Sequence, residues 1–402
     1  MVMTSLAPFS LDSSRIRQPI QDLQPQLVEW RRHLHQHPEL GFQEHLTAEF
    51  ILEKLQAWGI DHQANLAQTG IVAVIPGRRP GRVLAIRADM DALPIQEENP
   101  VPYHSRHAGR MHACGHDGHV TIALGLACYL SQHPDFAGTV KIIFQPAEEG
   151  PGGAEPMIQA GVLRNPDVEA IIGLHLWNNL PLGTVGVREG ALMAAVEVFD
   201  LVIQGKGGHG AMPHQTVDAI VVGAQIVNAL QTIVARSLDP LQAGVVTVGE
   251  FQAGRAHNVI ADTAKLSGTV RYFDPGLDGF FKQRIEQIVA GICQSHGASY
   301  ALDYQALYPP VINDRQIAAL VRSVAETVIE TPAGIVPNCQ TMGGEDMSFF
   351  LQAVPGCYLF LGAANLNKGL TFPHHHPRFD FDETALGIGV ELFARCVEAF
   401  CV

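Results

Sequence analysis

Residues 120–145, VTIALGLACYLSQHPDFAGTVKIIFQ, decide the fold. The first half, 120–132, has the length and apolar content of a buried helix. TVKIIFQ (139–145) is a short apolar run of the kind that forms a strand buried on both faces. Upstream, GIVAVIPG (70–77) and RVLAIRAD (82–89) have the same character, and AIIGLHLW (170–177) and CYLFLG (357–362) follow downstream. Strands of this type separated by helices predict an α/β domain with a mainly parallel sheet covered on both faces. Two helices are expected before it. LVEWRRHLHQHPEL (27–40) is helical up to Pro38, and EHLTAEFILEKLQAW (44–58) presents Leu46, Phe50, Ile51, Leu55 and Trp58 on one face, with Gly59 as its stop. The alternation of His33, His35 and His37 does not suit a helix face, and the three are expected at the surface.

From residue 188 to 306 the rhythm changes. EVFDLVIQG is an alternating strand, 216–235 a helix, AGVVTVGEF and DTAKLSGTVRYF strands, FFKQRIEQIVAGICQSH a helix and SYALDYQAL a strand. This β-α-β-β-α-β order predicts a ferredoxin-like domain. The larger sheet's pattern resumes after YPPVIND (308–314), so 188–306 is expected to be an insertion into a domain made of 1–187 and 307–402.

The bulk numbers narrow the function. With 402 residues the chain is long enough for two or three domains. A formal net charge of −14 argues against nucleic acid, whose binding rests on clustered Lys and Arg. Seven scattered cysteines form no disulfide framework and favour a reducing, cytoplasmic compartment. MVMTSLAPFSLDSSRIRQPI has no secretory apolar region. AIVVGAQIVNALQTIVA (219–235), interrupted by Gln and Asn, reads as a core helix, not a membrane span.

In open α/β sheets ligands gather beyond the carboxyl ends of the strands, and several polar clusters fall there. RVLAIR runs into Asp89 and Asp91, TVKIIFQ into Pro146-Ala147-Glu148-Glu149, and AIIGL carries His175. PHHHPRFDFDE (373–383) follows the strand at 357–362, and HACGHDGH (112–119) precedes the helix at 120–132. Adjacent residues on extended chain point in opposite directions. One of Glu148 and Glu149 can therefore bind a cation while the other takes the proton of a water activated by it. Cys114 and His116, two apart, form a donor pair of the zinc type; alternatively Cys114 is a nucleophile with a histidine base. One Cys, several His and one or two Glu exceed one tetrahedral site. They suit two divalent metal ions sharing a ligand, roughly 3.5–4 Å apart.

HACGHDGH, QPAEEGPGG, LHLW, GKGGHGAMPH, AHNVIADTA, GTVRYFD, GGEDMSFF and HHHPRFDFDE occur in the order found in M20-type metallohydrolases. Over about 27–400 the chain resembles that family, and within it the amidohydrolases of N-acyl amino acids, such as hippurate and auxin-conjugate hydrolases. The resemblance implies a zinc-peptidase-like catalytic domain, an inserted lid and dimerisation domain, and a homodimer formed through the latter. It implies Cys114, His116, Glu149, His175 and His375 as metal ligands, with the Cys114 sulfur bridging, and Glu148 as general base. Asp89 would orient a ligating imidazole. Arg87 stands where related branches carry a ligating histidine, so His116 is the expected substitute. His209 would stabilise the oxyanion, from its own or the partner's subunit, and Asn258 and Arg271 would hold the substrate. The implied reaction is metal-dependent hydrolysis of an N-acyl amino acid, a small-molecule substrate, to a carboxylic acid and an amino acid, with Zn, Mn, Co or Ni as the metal. A dipeptidase on the same scaffold and a non-catalytic metal- or ligand-binding relative are the alternatives.

Overall fold

The structure, a computed structural model, describes residues 13–329 and 331–402. The first twelve residues of the stretch expected to lack a secretory leader lie outside them. The chain forms two compact units. Met1–Gly190, Asn313–Cys339 and Phe350–Val402 make the first; Ala191–Ile312 and Gln340–Phe349 make the second. The division read at 188 and 306 thus moves to 191 and 312, and residues 340–349, placed by sequence in the catalytic part, join the second unit.

The first unit holds an eight-stranded sheet in the order Asp61–Leu66, Gly70–Pro76, Ala137–Gln145, Arg79–Asp89, Ala170–Pro181, Gly356–Ala364, Val185–Gly186, Ile335–Val336. The four middle strands, from Ala137–Gln145 to Gly356–Ala364, are mutually parallel. GIVAVIPG, however, pairs antiparallel to both of its neighbours, and Val185–Gly186 runs antiparallel to Gly356–Ala364. The sheet is therefore mixed, and the parallel arrangement belongs to the block whose carboxyl ends carry the polar clusters. Consecutive residues such as Leu84, Ala85 and Ile86, or Ile142, Ile143 and Phe144, are all buried. Neighbours on a strand point to opposite faces, so both faces are covered.

The helices Ser13–Gln36, His116–Gln132 and Thr384–Phe400 contribute Leu27, Trp30, Ile122, Leu126, Val390 and Phe393 to this core. Ser13–Gln36 begins well before the expected residue 27, with Pro19 and Pro25 inside it. An interior proline costs about 3 kcal/mol. Ile16, Ile20, Leu27, Trp30 and Leu34 are all buried along one stripe, and at roughly 1.5–3 kcal/mol per buried large apolar side chain that packing outweighs two prolines. In the next helix, His45–Ala57, Ile51 and Leu55 are buried but Leu46 is 47% exposed, so the expected apolar face is narrower.

The second unit's four-stranded sheet runs in the order Gly244–Ala253, Thr263–Tyr272, Ala195–Gln204, Ser299–Tyr308, all antiparallel. With helices Ala219–Thr232 and Phe280–His296 this is the ferredoxin-like β-α-β-β-α-β order. The apolar segment 219–235 packs into this unit's core through Ala219, Val222, Ile226, Leu230 and Ile233.

Candidate metal centre

The helix His116–Gln132 starts inside the octet, four residues earlier than expected. Gly115 makes the turn into it with φ 91°, a conformation that strains any side chain. Gly118 then lets the first turn approach the His175 strand, since a Cβ there would lie 2.3 Å from Leu176 Cδ1. Cys114 is thereby left on the loop and His116 on the first helical turn, both buried.

The loop after Ala137–Gln145 is held by two buried carboxylates that sequence reasoning left without a role. Glu44 Oε1 accepts from the amide of Ala147 at 2.9 Å, where the chain takes the left-handed φ of 54°. The two oxygens of Asp91 accept from the successive amides of Glu148 and Glu149, each at 3.0 Å. The backbone carbonyl of Asp91 meets His116 Nδ1 at 2.9 Å. One aspartate thus fixes both halves of the carboxylate pair and one imidazole. Its only sequence signal was its place, two residues beyond Asp89 at a strand end.

Around this loop the expected donors converge. The ligand atoms of Cys114, His116 and His175 lie within 4.8 Å of one another, and so do those of Cys114, Glu149 and His375. Cys114 belongs to both groups. Its sulfur is 3.4 Å from His175 Nε2, and His375 Nε2 is 3.0 Å from Glu149 Oε1, an oxygen that forms no hydrogen bond. Of the three consecutive histidines, His375 is the one in these groups. His374 Nε2 instead donates to the carbonyl of Leu176 at 2.8 Å, and His376 Nδ1 accepts from the amide of Arg378.

Hydrogen-bond polarity shows which nitrogens are bare. A carbonyl only accepts, so His116 Nδ1 and His175 Nδ1, at 2.9 and 2.7 Å from the carbonyls of Asp91 and Leu176, carry their protons. In both rings this leaves Nε2 as the nitrogen facing the cluster: that of His175 presents its lone pair, and that of His116, buried without a hydrogen-bond partner, would do so once a cation displaces its proton. Orphaned donor atoms of this type around one thiol fit divalent cations.

Burial, then the carboxylates of Glu149 and Glu148, push the Cys114 thiol well above its ordinary pKa. Burial and the neighbouring His119 hold His175 well below its own. A nucleophilic cysteine needs the opposite surroundings, so the site disfavours the cysteine-nucleophile alternative. Burial would lower His116, but Asp89 and Asp91 prevail and raise it to about 10.

Asp89 does not orient an expected ligand. Its Oδ1 lies 2.5 Å from His119 Nδ1 and its Oδ2 2.6 Å from Arg87, whereas His116 Nε2 is 3.8 Å away. The surface expectation for His33, His35 and His37 fails for His35. It is buried beside Arg31, with Nδ1 2.7 Å from Asp117 and Nε2 3.2 Å from Glu97. Burial and Arg31 work against protonation there, yet the bonds to Asp117 and Glu97 raise it to about 9.

In the second unit, His209 and Asn258 meet on a two-stranded ribbon. His209 pairs with Val259, and the amide of Gly210 donates to the carbonyl of Asn258 at 2.8 Å. The amide of Ala211 donates to His209 Nδ1 at 3.1 Å, leaving Nε2–H as an exposed donor. Arg271 sits on another sheet, half-buried on Thr263–Tyr272, and donates to Thr269 Oγ1 and to the carbonyl of Val270.

With this geometry established, comparison with known proteins is decisive for the family. Residues 85–399 match the model of Peptidase family M20/M25/M40, and the chain belongs to that family. It is 50% identical to an N-acyl-L-amino acid amidohydrolase of Geobacillus stearothermophilus over 75% of this chain and 82% of that one. It is 37% identical to thermostable carboxypeptidase 2 of Saccharolobus solfataricus (strain ATCC 35092 / DSM 1617 / JCM 11322 / P2), over 93% and 95%. A crystal structure from Bacillus subtilis, described as a dinuclear metal-binding peptidase from the M20 family, matches with a TM-score of 0.81 at 36% identity, covering 94% of this chain and 98% of that one.

Proposed function

We propose that this protein is a metal-dependent amidohydrolase that cleaves N-acyl amino acids into a carboxylic acid and a free amino acid. One observation carries the mechanism: Glu148 and Glu149 are locked at successive amides by the two oxygens of Asp91, beside a donor set centred on Cys114. Cys114, His116, Glu149, His175 and His375 would hold two divalent cations, with the Cys114 sulfur serving both groups. When bound, these would act as Lewis acids on the scissile carbonyl and bring the pKa of water toward neutrality. Glu148, buried, with a carboxylate oxygen within 4.8 Å of ligand atoms of Glu149 and His116, takes the proton of the attacking water and returns it to the leaving amine. The Nε2–H of His209 is the donor suited to the developing oxyanion. Arg271, whose planar fork can bond both oxygens of a carboxylate, holds the amino-acid end, and Asn258 the acyl carbonyl.

The 50% identity to an N-acyl-L-amino acid amidohydrolase supports the acylase reading. The 37% identity to a carboxypeptidase favours a second one, cleavage of the same bond in a peptide. A panel of N-acetyl and N-benzoyl amino acids against free dipeptides, assayed with Zn, Mn, Co and Ni, separates them. Turnover of the acyl substrates at a rate at least equal to the dipeptides is expected, and activity confined to dipeptides would overturn it. Seven free cysteines support a reducing, cytoplasmic setting. The exposed edge strand Gly244–Ala253 and the outward Ile220 and Val221 support a homodimer through the second unit.

A further inference from the structure

His119 is buried and groups with Asp89 and His116 as a further set of potential cation ligands. Both of its ring nitrogens, however, are committed elsewhere. The backbone N–H of Leu176, which can only donate, meets Nε2 at 2.9 Å. Nε2 is therefore the bare nitrogen, and Nδ1–H donates to Asp89 Oδ1. Asp89 is held in turn by Arg87, whose Nε donates to Gln145 Oε1 at 2.8 Å.

The position of Leu176 explains why it needs such a partner. The ladder between Arg79–Asp89 and Ala170–Pro181 makes its last pair at Arg87 and Gly173. Three residues further on, the imidazole of His119 stands in as the acceptor for Leu176. The carbonyl of the same residue accepts from His175 Nδ1 at 2.7 Å and from His374 Nε2 at 2.8 Å. The amide end of Leu176 is thus tied to His119, and its carbonyl end sets the ring of His175.

We propose that His119 is a positioning residue and not a metal ligand: by anchoring the amide of Leu176 it aims the bare Nε2 of His175 into the metal centre. The inference rests on His175 being a ligand, as proposed above. The two ring nitrogens can be tested separately. Gln at position 119 places its amide oxygen near the Nε2 position and keeps the bond from Leu176. Asn reaches only the Nδ1 position and keeps the bond to Asp89.

The experiment strips metal from the full chain and titrates it with cobalt(II) against a competing chelator, following the cobalt absorption bands. Wild type is expected to take two equivalents and His175→Ala to lose one. His119→Gln should bind both within about threefold of wild type, while His119→Asn weakens one equivalent by about 10–100-fold and shifts its bands, the range usual for a group that orients a ligand. Equal affinities in the Gln and Asn variants, or the reverse order, overturn the proposal even when His175→Ala behaves as expected. A His175→Ala protein that keeps both equivalents overturns the ligand assignment instead. Circular dichroism and melting of the metal-free variants check folding, and a defect common to both variants, lowering them alike, counts against the proposal.

Discussion

The two sheets of this protein treat neighbouring residues differently. On the strand Ala137–Gln145, Ile142 and Ile143 point to opposite faces and both are fully buried. On Ala195–Gln204, Leu201 is 1% exposed and Val202 36%. A sheet covered on both faces takes the side chains along it out of water, so a buried polar group there must be hydrogen-bonded or aimed at a ligand. Asp89 and Asp91 at a strand end, His116 and His119 on the adjoining first helical turn and His175 on the neighbouring strand are all buried. The half-open sheet of the second unit imposes no such demand on its ribbon, and His209 stands exposed. The chemistry proposed for each unit matches that contrast: cations and the base in the doubly covered one, substrate-holding donors in the other.

The largest test of the contrast is Glu148→Gln. It is expected to lower kcat by about 10²–10⁴, the usual contribution of a positioned base, with metal content unchanged by elemental analysis. Near-normal turnover in a metal-loaded variant would remove Glu148 as the base. Packing comes next. Ile142→Ala and Ile143→Ala should each cost roughly 2–5 kcal/mol in urea unfolding, and so should Leu201→Ala. Val202→Ala should stay within about 0.5–1 kcal/mol, as a partly exposed site does. A large loss at Val202 would mean that both sheets are covered alike.

Arg271→Ala is expected to raise KM by roughly 10-fold or more, the loss of a charge-assisted bond, while cobalt uptake stays at two equivalents. Loss of metal in that variant would contradict the division of labour. A further effect is one of pH. His35 is raised to about 9 in the fold by Asp117 and Glu97, so its contribution to stability is complete below about 6.5. That contribution should fade as pH rises through 9. Chemical unfolding at several pH values should show this slope, and His35→Leu should flatten it. An unchanged slope in the variant would assign it to other groups.

Much of this was legible in order along the chain. The apolar runs announced the strands, and the split β-α-β-β-α-β rhythm announced the second unit, because periodicity 2 and the helical period are local properties. The residues proposed as donors were also visible, since Cys114, His116, Glu149, His175 and His375 stand within family motifs. Choosing His375 over its neighbours took the family register in the sequence and, in the structure, the 3.0 Å approach to Glu149. Other features were not legible. The first helix was expected only from residue 27, and the buried stripe of Ile16, Ile20 and Leu27 carries it back to Ser13 through Pro19 and Pro25.

By itself, then, the sequence determined which elements form, the family, and the stock of groups able to bind cations or move protons. Tertiary structure alone decided what each buried polar group does. His35 is paired with Asp117 across 82 positions, Asp91 clamps amides 57 and 58 positions away, and His119 caps an amide 57 positions away. The physical reason is that a buried donor or acceptor must find its partner wherever packing delivers one. The polarity of that partner, more than the residue type, determines which lone pair remains for chemistry.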